Sequence, residues 1–295
     1  MAMFDTETLK RLRYLSLITR RAAERSLVTT VRRKLPGGGT EATGLRDYTP
    51  GDDYRYIDWH WCARRDELLT KTFEGEADRH VYILLDCSPS MGLGQPPKFD
   101  LARQIAAMLG YAVLANLGCL SVGVFSDGLV TQQPPIRHRS HSVRLLRFLE
   151  GLSLQGDRTN LARTAEQFAR RYQRHGPVVV ISDLYDREGF RPALDTLRHR
   201  GYEPRVVQIY GLCEACPGLL GDVELYDVES GFARRATVTE RAARRYEERF
   251  VEFQESVRRY SATHGIRCLQ FASDTPENDV LLTVLGAKSP LKTSS

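Results

Sequence analysis

Asp86, Ser88 and Ser90 occupy alternate positions of the stretch "DCSPS", directly after the apolar run Val81 to Leu85. A short continuous apolar run reads as a buried strand, so the aspartate falls where that strand must turn. In a tight turn, alternate side chains can point to one centre, and a carboxylate with two hydroxyls offers that centre hard oxygen ligands. Two later loops carry similar chemistry. "GLSLQGDRTNLA" presents Gly156, Asp157 and Thr159 just before a helical pattern, and "PVVVISDLYD" ends a second apolar strand in Ser182, Asp183 and Asp186. Asp86, Ser88, Ser90, Thr159 and Asp183 are thus the expected ligands of one divalent cation, Mg²⁺ first, with Mn²⁺ or Ca²⁺ open. A plainer role, in which Asp86 caps its turn and the serines satisfy loop amides, leaves Thr159 and Asp183 without explanation.

These loops need a scaffold that brings them to one edge. From residue 80 onward, strand-like runs (Val81 to Leu85, Leu120 to Phe125, Val178 to Ser182, Val206 to Tyr210, Ile266 to Phe271) alternate with helical patterns near 98–117, 141–150, 160–174, 190–200 and 239–263. Continuous apolar strands separated by helices predict a mostly parallel sheet covered on both faces, a three-layer, Rossmann-like α/β fold. Ligands of such sheets sit beyond the carboxyl ends of the strands, which is where the three loops gather. "FSDGLVTQQPP" predicts a tight turn at Ser126 to Gly128 and an antiparallel edge strand near 129–133. "DVELYDVESGFARRATVTE" predicts a hairpin turning at Glu229 to Gly231, part of an insert at about 212–240 that stands outside the main sheet.

Residues 1–79 differ in kind and are expected to form a separate N-terminal part, with the main domain at 80–288. They begin with an Arg-rich helix at about 5–27 and the Gly-rich loop "KLPGGGTEATG". A block dense in aromatic residues and both signs of charge follows, holding Trp59 and Trp61. It predicts a short β element whose aromatic residues supply buried area and whose ion pairs fix the turns.

The chain has 295 residues and 42% apolar content, enough for a real core. Its net charge of +5 is concentrated at the start, where residues 1–34 hold nine Lys or Arg against three Asp or Glu. Six scattered cysteines make no disulfide framework, and the single C-x-x-C of Cys213 and Cys216 lacks the second pair or the histidines of a zinc site. The first 26 residues never run to seven apolar residues in a row, so no signal peptide and a cytoplasmic location are expected. Residues 105–125 are uncharged and long enough to span a bilayer, but Gly118 divides them into a helix-like and a strand-like half, which predicts buried core instead.

The D-x-S-x-S spacing, with a distant Thr and a distant Asp, resembles the metal-ion-dependent adhesion site (MIDAS) of von Willebrand factor A-like domains. The stretch "LRDYTPGDDYRYIDWHWCARRDELLTKTFEGEADRHVYILLDCSPSM" resembles the block of the family called domain of unknown function fifty-eight, whose members carry such a domain. The likeness extends over roughly residues 25–285. Many family members begin with two membrane-spanning segments that are missing here, so the resemblance implies a soluble form. It also implies a partner, since family members are commonly encoded beside MoxR-type AAA+ ATPases.

The expected function is metal-dependent protein recognition: a dication held by two carboxylates and three hydroxyls stays electrophilic and favours an acidic oxygen from a partner. Catalysis is the first alternative, with Asp86 as nucleophile of a Mg²⁺-dependent phosphotransfer or hydrolase enzyme. That chemistry needs a second acid two residues on, where this chain has Ser88. No G-x-x-x-x-G-K-[ST] loop or G-x-S-x-G elbow is present, so no enzyme activity is expected. Nucleic-acid binding through the Arg-rich N-terminus is the second alternative, though interleaved charges such as "RRYEERFVEFQESVRRY" favour a solvated, salt-bridged helix.

Overall fold

The computed structural model describes residues 27, 42–50, 53–65, 67–73, 80–116, 118–229, 231–284 and 286. They divide into two compact units, one within residues 30–79 and the other formed by the residues from His80 onward with Leu27. The basic helix expected at about 5–27, apart from Leu27, and most of the Gly-rich loop lie outside the described residues.

In the smaller unit, strand β1 (Ala42–Asp47) pairs antiparallel with β2 (Leu69–Phe73). Between them lie a 3₁₀ turn at Tyr54–Tyr56 and helix α1 (Trp59–Arg65). Local ion pairs and caps do fix these turns: Arg55 Nη2 lies 2.6 Å from Asp53 Oδ2, and Asp58 Oδ1 accepts from the His60 and Trp61 amides. The aromatic residues, however, do not supply the expected buried area. Trp59 is 60% exposed and Tyr54 70%, while Ile57 is buried. Residues two apart share a face in a strand but not in a helix, so once "WHWCARR" is helical its two tryptophans cannot enter one core together.

The larger unit opens with β3 (His80–Asp86), followed by α2 (Lys98–Ala115), β4 (Cys119–Phe125), β5 (Leu129–Ile136) and α3 (Ser142–Glu150). Then come α4 (Leu161–Arg171), β6 (Pro177–Ser182), α5 (Arg191–His199), β7 (Glu203–Tyr210), the short α6 (Leu212–Ala215) and the hairpin β8 (Gly221–Tyr226) with β9 (Ala233–Val238). Helix α7 (Glu240–Thr263), β10 (Arg267–Ala272) and α8 (Glu277–Val284) complete it. Six strands form one sheet in the order β10-β7-β6-β3-β4-β5, parallel except for the β4–β5 pair, and the hairpin makes a separate two-stranded sheet. This is the three-layer α/β architecture expected, with the antiparallel edge strand and the external hairpin in place. Short α6 and α8 were not anticipated.

Strand β3 explains the two faces. Val81, Ile83 and Leu85 belong to a core shared with α2, α3 and α8, whereas Tyr82 and Leu84 belong to a second core shared with α4 and α5. The strand is buried on both sides, so its side chains need be apolar at every position rather than at alternate ones. Each Leu, Ile or Val buried this way contributes about 1.5–3 kcal/mol, which holds the strand end in one place. Among the described residues no helix is long and apolar enough to cross a membrane, and residues 105–125 contribute the end of α2 and strand β4.

The sheet's order has a topological switch. From β3 the chain moves outward to β4 and β5, then returns to lay β6 on the other side of β3. The carboxyl ends of β3 and β6 therefore sit side by side with connections leaving in opposite directions, the position at which α/β sheets open a crevice.

Candidate metal centre

Asp86 ends β3 and Asp183 follows the last residue of β6, so the switch point delivers two carboxylates. Both are wholly buried. Asp86 Oδ1 accepts from the Ser88 amide at 2.9 Å and Oδ2 from Ser182 Oγ at 2.6 Å. Ser88 Oγ and Ser90 Oγ are 3.1 Å apart, and Ser90 Oγ donates to Asp183 Oδ2 at 2.8 Å. Four of the five expected ligands are thus joined in one buried polar run. The residue between them, Cys87, turns away into the apolar core.

The turn after β6 is held in an unusual way. Leu184 has φ of 65°, the left-handed region that non-glycine residues rarely adopt, at a cost of order 1 kcal/mol. Its amide donates to Ser182 Oγ, the same hydroxyl that serves Asp86, and the Tyr185 amide donates to Asp183 Oδ1. The buried Leu184 side chain, in the core shared with α4 and α5, secures this turn.

Thr159 arrives on a loop tied at two points to the strand ends. The Gln155 amide donates to the Cys87 carbonyl at 2.8 Å, and the Asn160 amide to the Ser126 carbonyl at 2.9 Å. Between them Gly156 has φ of +81°, and a Cβ there would lie 2.1 Å from Ser126 Oγ, so only glycine fits. Thr159 is buried, but its hydroxyl and amide donate to Glu229 Oε1 (3.0 and 3.2 Å) and not to the other four residues. Asp186, also considered from sequence, serves as a cap: its Oδ2 accepts from the Leu161 amide at the start of α4.

Three charged groups at this edge escaped the sequence reading. Lys98, the first residue of α2, is wholly buried, with Nζ 2.8 Å from Asp183 Oδ2 and 2.5 Å from Glu214 Oε1. Its ammonium also lies 5.1 Å from the centre of the Tyr185 ring. Burial acts to lower the Lys98 pKa, but the two carboxylates outweigh it and the net shift is upward. Glu214 is the second residue of the C-x-x-C stretch, where it also accepts from the Gly211 amide. The two thiols beside it are exposed and free. Glu229 is the third, from the hairpin turn.

Of the carboxylates at this edge, those of Asp183 and Glu214 pair with the Lys98 ammonium. The Asp86 pKa is pushed up to about 7, first by burial and then by the neighbouring Asp183 carboxylate. Its favourable contacts come from neutral donors. Among the described residues no three His, Cys, Asp or Glu side chains converge as a metal cluster, so a cation here would depend on hydroxyl oxygens as well. A buried carboxylate without a counter-ion, flanked by hydroxyls and a second carboxylate, fits a hard divalent cation.

A doubly wound α/β domain is the class that this sheet and its switch-point loops define. The chain belongs to the family described as protein of unknown function DUF58, whose profile matches residues 44–258. It is 27% identical over 233 residues to the uncharacterized protein Rv1480 of Mycobacterium tuberculosis, covering 74% of this chain and 73% of that one. Among solved structures it is similar to the conserved hypothetical protein BatB from Bacteroides thetaiotaomicron, with TM-score 0.43, 16% identity, and 71% and 100% of the two chains covered. It is also similar to a von Willebrand factor type A protein from Catenulispora acidiphila, with TM-score 0.37, 16% identity and 48% and 35% covered.

Proposed function

We propose that this chain is a metal-dependent protein–protein interaction module of the von Willebrand A type, non-enzymatic and cytoplasmic. One observation carries the reading: the buried polar run from Asp86 through Ser88 and Ser90 to Asp183, at the switch point of the sheet, holds more carboxylate charge than Lys98 balances. Asp86, Ser88, Ser90, Thr159 and Asp183 would hold the cation, Mg²⁺ first and Mn²⁺ or Ca²⁺ as alternatives. When bound it supplies an electrophilic centre that takes a further carboxylate oxygen.

The chain's own groups prepare that centre. Ser182 and the Ser88 amide fix both oxygens of Asp86, Lys98 donates to Asp183, and the hydroxyls of Ser88 and Ser90 add ligands without adding charge. The partner supplies an acidic oxygen, and a MoxR-type AAA+ ATPase system is the one the family resemblance suggests, with this chain as its adaptor or substrate-recruiting component. Neither membrane nor nucleic acid is needed. An Asp86 nucleophile fits less well, because Asp86 is wholly buried, both its oxygens are engaged, and position 88 offers no general acid.

Titration calorimetry with Mg²⁺ tests the site. The native chain should bind with 1:1 stoichiometry and Asp86→Asn should not, and capture of the partner from the native cell should be lost in EDTA. Equal Mg²⁺ affinity in the two proteins rejects the site. Phosphoester turnover that Asp86→Asn abolishes would replace this function by the enzymatic one.

A further inference from the structure

Glu229 lies 70 residues along the chain from Thr159, in the turn between β8 and β9, yet a single oxygen of its carboxylate accepts both the Thr159 amide and the Thr159 hydroxyl. The turn is built to present it. The Glu229 amide donates to Asp227 Oδ1, the Gly231 amide to the Asp227 carbonyl and the Asp227 amide to the Phe232 carbonyl. Gly231 takes the left-handed conformation that closes such a loop, with φ of 68°.

The strands of the hairpin are exposed. No described residue of β8 or β9 is buried, and Tyr226 and Phe232, on either side of the turn, are 65% and 68% exposed. A further tie, Arg187 to Asp227, is a solvent-facing pair at 3.5 Å, the kind worth little. The tip is seated while the strands stay exposed. The Glu229 pKa is raised first by burial and further by the Asp183 and Asp227 carboxylates, so the seat brings one acidic group toward others. Two hydrogen bonds from Thr159 offset that repulsion in part; a cation between the carboxylates would turn it into attraction.

We infer that Glu229 is an internal ligand of the cation site: in the resting domain it takes the position of the partner's carboxylate, and a partner binds by exchanging its own carboxylate for Glu229 and lifting the hairpin tip. The inference rests on the cation site proposed above. Exchange suits an exposed hairpin, because no described residue of β8 or β9 is buried in the domain. It also suits selectivity, since a stray carboxylate must compete with one tethered at high effective concentration.

Manganese, whose bound waters can be counted by proton relaxation, is the probe for the full chain. Relative to the native protein, Glu229→Gln should bind Mn²⁺ about tenfold more weakly, show one more fast-exchanging water on the metal, and exchange amide hydrogens faster across residues 221–238. Native affinity, hydration and exchange in Glu229→Gln, with binding lost in Asp86→Asn, would overturn the internal ligand and leave the cation site standing. Faster hairpin exchange with unchanged manganese binding also overturns it, making Glu229 a latch on Thr159 alone. Undiminished manganese binding in Asp86→Asn removes the cation site itself and the exchange with it.

Discussion

Lys98 Nζ and Asp183 Oδ2 meet at 2.8 Å with neither side chain exposed, so the candidate site contains its own fixed cation before any metal arrives. Burying both charges carries a desolvation cost that their attraction offsets only while both are present. Lys98→Met should therefore destabilise the fold by about 3–5 kcal/mol, the range for leaving one partner of a buried pair alone. In Lys98→Met with Asp183→Asn the loss should be smaller than the sum of the single losses. Urea unfolding of the four proteins measures the coupling; additive losses would mean that the pair contributes nothing as a pair.

Asp86 gives a pH signature whose sign is fixed. Its ordinary pKa of 3.8 is pushed up to about 7 in the folded chain, so between these values the folded state holds a proton that the unfolded state has lost. Stability from this group is full below the unfolded value and falls as pH rises through the folded one. The difference in stability between the native chain and Asp86→Asn, both free of metal, should thus move against the native chain from about pH 4 to about pH 7. Mg²⁺ competes with that proton, so the native chain's affinity should rise with pH over the upper part of the window and level off above it. Thermal unfolding with EDTA or Mg²⁺ at several pH values checks both trends, and a flat difference would show that Asp86 is ionised throughout.

Gly156 tests whether the Thr159 loop is positioned by its backbone. Gly156→Ala places a methyl against Ser126 Oγ in a conformation that disfavours any side chain, and should cost about 1–3 kcal/mol. The loop carries Thr159, so Mg²⁺ affinity should fall along with stability. A variant that loses stability but binds Mg²⁺ as before would show that Thr159 is not a ligand.

Asp86 and Asp183 were legible in the sequence because each ends an apolar run too continuous to be anything but a buried strand, and a parallel sheet places such ends on one edge. Thr159 was legible as the residue before a helical pattern. Lys98 was not: at the first position of a helix it looks like an ordinary solvated lysine, and its two partners lie 85 and 116 residues away. Glu214 was hidden by the cysteines around it, which drew attention to sulfur chemistry in a stretch whose carboxylate makes the contact. Glu229 belongs to a turn whose sequence places it clear of the sheet. The hairpin does stand clear, but a side chain can cross a gap that its strand does not. The tryptophans near residue 60 show the reverse error, where spacing suited to a strand sits in a helix and burial fails with it.

The sequence distances that hid Lys98 also order events in time. Contacts spanning so much chain require long loops to close, and they come with native topology rather than ahead of it. Asp86, Lys98, Asp183 and Glu214 belong to segments that share no local structure, so a nascent or partly folded chain carries these charges without their partners. The proposed affinity for a dication at this edge would accordingly be a property of the finished sheet, acquired at the end of folding and surrendered at the start of unfolding.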